Sequence, residues 1–287
     1  MQCDHCRREA VLFQPYSGQN LCAQHFTLDV ERKAKRMIRK NHWIRSGDRI
    51  GIAMEGNAGS FSLVHFLAST FGKRRDLSFF GFAFEQGSET TDVHRQADIV
   101  QSYGIEWVNQ SFRNDGEAYP TTEDMDRKES CASCILPRCL ILNCRAEEEG
   151  ATKIAAGSTL DDEALLVFLQ ILRGDVIQSL FPQSGIPWIT PFSTVPEHEV
   201  TLYAQLQGME VRKIPSRAKQ DLEEVAGHFL GEYTRHHPST RNALVNLRQA
   251  YASSVLEAWA CTNEPVEDIC RRCQIMDKRR RVNRHAL

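Results

Sequence analysis

The chain has 287 residues, a formal net charge of −2, 41% hydrophobic and 25% charged residues. That suits a globular protein with one substantial core and a small appendage or two, and no apolar run approaches the ~18 residues of a membrane span. The start, Met1-Gln2-Cys3-Asp4, has no signal-peptide core, so a cytoplasmic location and no membrane partner are expected.

The first motif is Cys3-x2-Cys6 followed, after 15 residues, by Cys22-x2-His25. Three thiolates and an imidazole at this spacing suit a tetrahedral Zn²⁺ site. The ten cysteines fall in clusters at 3/6/22, 131/134/139/144 and 261/270/273, which reads as metal or sulfur chemistry and not as a secreted disulfide scaffold. After the finger, residues 28–42 read as a basic helix, with Arg36, Arg39 and Lys40 as candidate RNA contacts. A second basic run, Lys278 to Arg281 with Arg284, lies at the C-terminus. Two basic segments on a near-neutral body favour a polyanion, although each alone also suits a solvated helix face or a tail.

Farther along, 49–54 (R-I-G-I-A-M) reads as a buried strand that runs into the small-residue turn Glu55-Gly56-Asn57-Ala58-Gly59-Ser60 and a helix over 61–71. Strands are expected at 77–84, 105–109 and 153–156, with helices at 91–103, 135–149 and 160–172. This alternation predicts an α/β fold, a parallel sheet sandwiched by helices. Ligands of such sheets bind beyond the carboxyl ends of the strands, where the 55–60 turn and Gly157-Ser158-Thr159-Leu160-Asp161-Asp162 both fall. Residues 185–196 read as Pro-rich and extended, 196–207 as a helix, 210–213 as a strand, and 217–236 and 239–259 as helices. The expected division is a zinc finger (1–27), a basic linker helix (28–48), an α/β domain (49–215), C-terminal helices (216–260) and a Cys-rich basic tail (261–287).

In this order, the finger with Leu21-Cys22-x2-His25-Phe26, the strand–loop–helix at 50–70, Cys131-Ala132-Ser133-Cys134 with Arg138, Gly157 to Ala164, Pro191 to Gly208 and His237-Pro238-Ser239-Thr240-Arg241 resemble the TtuA/TtcA-type tRNA thiolases of the PP-loop ATP pyrophosphatase superfamily. The likeness covers nearly the whole chain. It implies a PP-loop, adenine nucleotide α-hydrolase-like fold and thiolation of a tRNA uridine or cytidine. ATP adenylates the base's carbonyl oxygen, and a sulfur donor then replaces the activated oxygen. The resemblance places ATP and Mg²⁺ at Glu55, Gly56, Asn57, Ala58, Gly59, Ser60, Gly157 and Asp162, with Cys131, Cys134 and Asp161 as catalytic residues. It also implies a [4Fe–4S] cluster on three cysteines, a second zinc finger on Cys261, Cys270 and Cys273, a sulfur-carrier protein partner, and a homodimer or a heterodimer with an intact paralogue.

The chain departs from that pattern at three places. In the nucleotide loop, expected as Ser-Gly-Gly-x-Asp-Ser, Glu55 stands for a serine and Gly59 for the aspartate; a carboxylate there can itself satisfy the helix N–H groups meant for phosphate. The third cluster ligand, expected before a proline, reads Ile214-Pro215, which leaves Cys139 or Cys144 as substitutes, or a redox or persulfide pair at Cys131/Cys134. In the last finger Ala258 replaces a ligand, with His285 as a candidate substitute. Asp161 and Asp162 also suit a helix first turn with no ligand at all. These departures keep a second reading open, a non-catalytic paralogue that binds RNA or a partner subunit.

Overall fold

In a computed structural model, the structure describes residues 1–83, 90–108, 142–143, 145–174, 185–210, 221–248 and 250. The chain starts with a small hairpin, β1 (Leu12–Gln14) against β2 (Gln19–Leu21), antiparallel. It leads directly into α1 (Ala23–Lys40), whose Phe26, Val30, Ala34 and Ile38 recur every fourth residue and are buried. One i, i+4 stripe turned to the core explains the element, and burying each large member stabilises it by roughly 1.5–3 kcal/mol. The helix expected over 28–42 thus starts at Ala23 and carries His25 in its first turn.

The apolar run at 49–54 is β3 (Arg49–Met54), buried on both faces as central parallel strands are. It is followed by α2 (Ala58–Phe71), β4 (Ser78–Ala83), α3 (Thr90–Ser102) and β5 (Glu106–Trp107). Then come β6 (Lys153–Ala155), α4 (Leu160–Arg173), β7 (Trp188–Ile189), α5 (Glu197–Leu206) and α6 (Asp221–His236). Residues 142–143, 145–148 and 240–248 are helical too.

The main sheet is β5-β4-β3-β6-β7, with every pairing parallel. Ile50, Ile52 and Met54 face one core layer with α1, α2 and Tyr203 of α5. Ala53 faces the other layer, with Phe80, Phe82, Leu142, Ala146, Ile154 and Ile186. The sheet is therefore covered on both sides, as the alternating pattern predicts. The Pro-rich stretch 185–196, expected only to be extended, adds the edge strand β7, in register Ala155 to Ile189 with β6. Three residues between Pro187 and Pro191, two of them the strand, are too few for a strand signal, and proline is tolerated at a sheet edge. Met1–Arg248 make one compact unit.

Candidate functional site

The four expected finger ligands converge. Cys22 is the N-cap of α1 and His25 sits in its first turn, while Cys3 and Cys6 come from the segment before β1. Nδ1 of His25 lies 3.4 Å from both Cys3 Sγ and Cys22 Sγ, Cys6 Sγ lies 3.6 Å from Cys22 Sγ, and all four donors are within 4.8 Å of one another. Around zinc, with Zn–S about 2.3 Å and Zn–N about 2.0 Å, tetrahedral donors stand roughly 3.5–3.8 Å apart, so the donor set fits. Burial pushes the Cys3 thiol up, but hydrogen bonds from the backbones of Cys22 and His5 and the side chains of His25 and Cys22 outweigh it and bring the thiol to about 6. A thiol so lowered is the form that ligates metal.

The finger is clasped to the body through Glu199 of α5, which is fully buried. Tyr16 Oη donates to Glu199 Oε1 at 2.5 Å, Gln14 Nε2 to the same oxygen at 3.2 Å, and Lys33 Nζ to Oε2 at 3.1 Å. Three donors, one of them the paired Lys33 cation, offset the desolvation of one carboxylate. Burial, then Glu199, raises the Tyr16 pKa, so the phenol stays a donor.

The second constellation lies where the sheet changes direction. From β3 the chain builds outward to β4 and β5, then returns to place β6 on the other side of β3. The carboxyl ends of β3 and β6 therefore flank a topological switch point, where crevices in open α/β sheets bind ligands. The loop 55–57 leaves β3 there, and the loop 156–159 leaves β6 beside it. The first turn of α2, just after the 55–57 loop, touches the 156–159 loop backbone to backbone: a Cβ on Gly59 would stand 2.1 Å from Gly157 O, and one on Gly157 2.2 Å from Gly59 C. Only glycine at both positions permits that approach.

Asn57 caps α2 by accepting from Ser60 N at 2.9 Å, and donates to Glu55 Oε2 at 3.0 Å. The expected competitor for the phosphate-binding N–H groups, Glu55, is thus corrected to Asn57, because the shorter side chain at the N-cap reaches N3. Asp162 Oδ2 accepts from Thr159 N and Oγ1, both at 2.7 Å, which completes the capping box of α4. Asp161 accepts from Glu197 N at the start of α5 and pairs with Arg241 at 2.7 Å. Asp161 therefore ties the starts of α4, α5 and the 240–248 helix together, while Asp162 caps its own helix. Ser158 Oγ is buried and, among the described residues, has no hydrogen-bond partner. A buried orphan hydroxyl beside two glycine loops is a mark of a site that accepts a polar ligand.

On α1, Lys33 pairs with Asp29 and Glu199, and Lys35 with Glu31. Arg36, Arg39 and Lys40 are solvent-exposed, as an RNA-facing surface requires. Cys131, Cys134, Cys261, Cys270 and Cys273 lie outside the described residues. Sequence reasoning missed the Glu199 clasp, whose partners are 166–185 positions away, and Ser158, which has no local pattern.

A family model for the N-terminal LIM domain of the 2-thiouridine synthetase TtuA matches residues 2–27. The tRNA 2-thiolation protein NcsA of Haloferax volcanii is 26% identical, covering 96% of this chain and 98% of its own length. The tRNA-5-methyluridine(54) 2-sulfurtransferase of Pyrococcus horikoshii is 24% identical, covering 99% and 96%. The U34-tRNA thiolase NcsA from Methanococcus maripaludis, solved with its [4Fe-4S] cluster, superposes with a TM-score of 0.75 at 20% identity, over 87% of this chain and 86% of that one. The chain is similar to the TtuA/NcsA-type tRNA 2-thiolation proteins over nearly its whole length.

The LIM match falls on the finger whose donors converge and whose Gln14 and Tyr16 clasp Glu199. The solved NcsA structure supports the fold. The match to the Haloferax NcsA runs nearly end to end, so it passes through the 109–141 segment that carries Cys131 and Cys134.

Proposed function

We propose that this chain is a tRNA 2-thiolation sulfurtransferase that binds ATP with Mg²⁺ in the crevice between β3 and β6. The observation that carries the reading is the close approach of Gly59, in the first turn of α2, to Gly157, in the loop after β6, at the switch point, with the orphan Ser158 hydroxyl beside them. A helix N-terminus and successive backbone N–H groups suit phosphates, and Glu55 and Asp162 supply the oxygen ligands that Mg²⁺ takes. The base's carbonyl oxygen attacks the α-phosphate and pyrophosphate leaves; a sulfur nucleophile then adds at the activated carbon and AMP departs with the oxygen. Cys131 and Cys134 are the sulfur-handling pair in this proposal, Asp161 orients the helix ends at the crevice, and Arg36, Arg39 and Lys40 contact tRNA. The base is a uridine or a cytidine, the sulfur arrives on a carrier protein, and the enzyme works as a dimer. The finger takes zinc. At the third ligand position of the cluster the chain carries Ile214, so three thiolates are reached only with Cys139 or Cys144 beside Cys131 and Cys134, and the sulfur chemistry above runs through the Cys131/Cys134 pair alone.

A second reading is favoured by Asn57, which already occupies Ser60 N, and by the anionic Glu55 in the loop. It is a non-catalytic RNA-binding paralogue beside an active thiolase. Calorimetry of zinc-loaded protein with Mg-ATP, with and without tRNA, separates the two. The first reading expects a Kd below about 1 mM, at least ~4 kcal/mol of binding free energy. No binding heat in either condition supports the second.

A further inference from the structure

The end of α2 far from the crevice closes a cavity of about 510 Å³ with the last turn of α1. That volume is in the range of sites for small organic ligands. Its floor is apolar, made by Ile38, Ile44 and Phe71, and its rim carries Lys35, Arg39 and Arg74. Thr70 also lines it, and among the described residues its buried Oγ1 has no hydrogen-bond partner. His42 joins the rim from a left-handed backbone conformation, φ 51°, the one positive φ at a non-glycine among the described residues. That conformation is the C′ position of a Schellman-type stop to α1, with Trp43 N donating to Ile38 O at 3.1 Å and His42 N to Arg39 O at 3.3 Å, and it turns the chain out of the helix at the edge of the cavity.

The acids that face these cations are Glu31, paired with Lys35 at 2.9 Å, and Asp76, paired with Arg74 at 2.5 Å. Both pairs are partly solvated, and such pairs are weak and readily exchanged for another anion. Arg39 on the rim is exposed, and Arg36, Lys40, Lys73 and Arg75, sequence neighbours of the lining residues, are exposed too. This density of positive charge favours a polyanion over a protein surface.

We propose that this cavity seats one nucleotide of the RNA, its phosphate on Arg39 and Arg74, its base against Phe71 and the two isoleucines, and a hydroxyl or base edge on Thr70 Oγ1. An aromatic floor with cationic walls is the chemistry that holds unpaired nucleotides. This is not the reacting nucleotide. The 14 residues of α2 put the cavity about 21 Å from the crevice at that helix's other end. The 18 residues of α1 span about 27 Å and present Arg32, Arg36 and Arg39 outward at i, i+4 and i+7. The strand is therefore gripped at the cavity, tracked along α1 and presented at the crevice. The inference rests on the tRNA reading above.

The test is binding of an unmodified tRNA transcript to the full zinc-loaded chain over a salt series, with thermal melts to confirm folding. The Arg39→Ala/Arg74→Ala double variant is expected to bind at least tenfold more weakly, with its salt slope shallower by about 1, one phosphate contact. Thr70→Val, which removes a hydroxyl and no charge, is expected to weaken binding about threefold with an unchanged slope. Wild-type affinity and slope in the double variant would overturn the proposal. A loss in the double variant with none in Thr70→Val also overturns it, because the rim would then be a general electrostatic surface. Unchanged tRNA affinity with loss of a co-purifying protein overturns it in favour of a protein partner. Absence of tRNA binding by the wild-type chain itself overturns both this inference and the thiolase reading, which separates the two failures.

Discussion

Asp162 shows how one side chain can serve both the fold and the site. Its carboxylate caps α4 through Thr159, yet the protein packed around it raises its pKa to about 6, with the charges of Glu55 and Glu197 adding to the effect. The side chain keeps an exposed surface, so water softens that rise. A carboxyl raised above its unfolded value of about 3.9 contributes stability that is present below that pH and lost as pH rises through about 6. Asp162→Asn removes this contribution and keeps an acceptor for Thr159. The variant is expected to show a flatter dependence of urea-unfolding free energy on pH between about 4 and 6 than the parent. Parallel curves would mean that Asp162 carries no such strain. A bound Mg²⁺ would relieve the same repulsion, which is why the acids fit a nucleotide site. At this scale the finger ligands were legible because their spacing is local. The cap by Asn57 was hidden because Glu55, two positions earlier, carries the more conspicuous charge.

Helix α1 is where finger and body become one element. Its N-cap is a metal-ligand candidate, its buried stripe belongs to the main core cluster, and its outer face is cationic. Removing metal with a chelator is therefore expected to act unevenly. Amides of residues 1–22 should lose hydrogen-exchange protection, because a 22-residue segment with a hairpin of two three-residue strands has little core of its own. Amides around Val30 to Ile38 should keep theirs, held by α2 and α5. Uniform loss along α1, or no loss in the finger, would contradict this division. Elements with strong periodicity or a continuous apolar run, α1, β3 and α4, were readable from sequence within a few residues. The strand β7 was not, since a two-residue strand between prolines gives no period and its pairing with β6 is a long-range event.

On the scale of the whole molecule, the order of strands does the positioning. Reversal of the chain between β3 and β6 brings Gly59 and Gly157 together, nearly a hundred positions apart, and turns two ordinary glycine turns into one crevice. Alternation of strands and helices announced the parallel sheet, and the candidate loops were placed at its carboxyl edge. The Glu199 clasp could not be foreseen, because nothing near residue 199 announces Tyr16 or Lys33. The departures at Glu55, Gly59 and Ile214 fall in the loop and cluster positions, while the finger and its clasp are intact. The account nevertheless holds that sulfur reaches tRNA through this chain. Mass spectrometry of nucleosides from total tRNA, compared between a deletion strain, the parent and a strain complemented with Cys131→Ala/Cys134→Ala, tests that directly. The account predicts that a 2-thiolated nucleoside disappears on deletion, returns with the wild-type gene and does not return with the double variant. An unchanged 2-thionucleoside level in the deletion strain would contradict it.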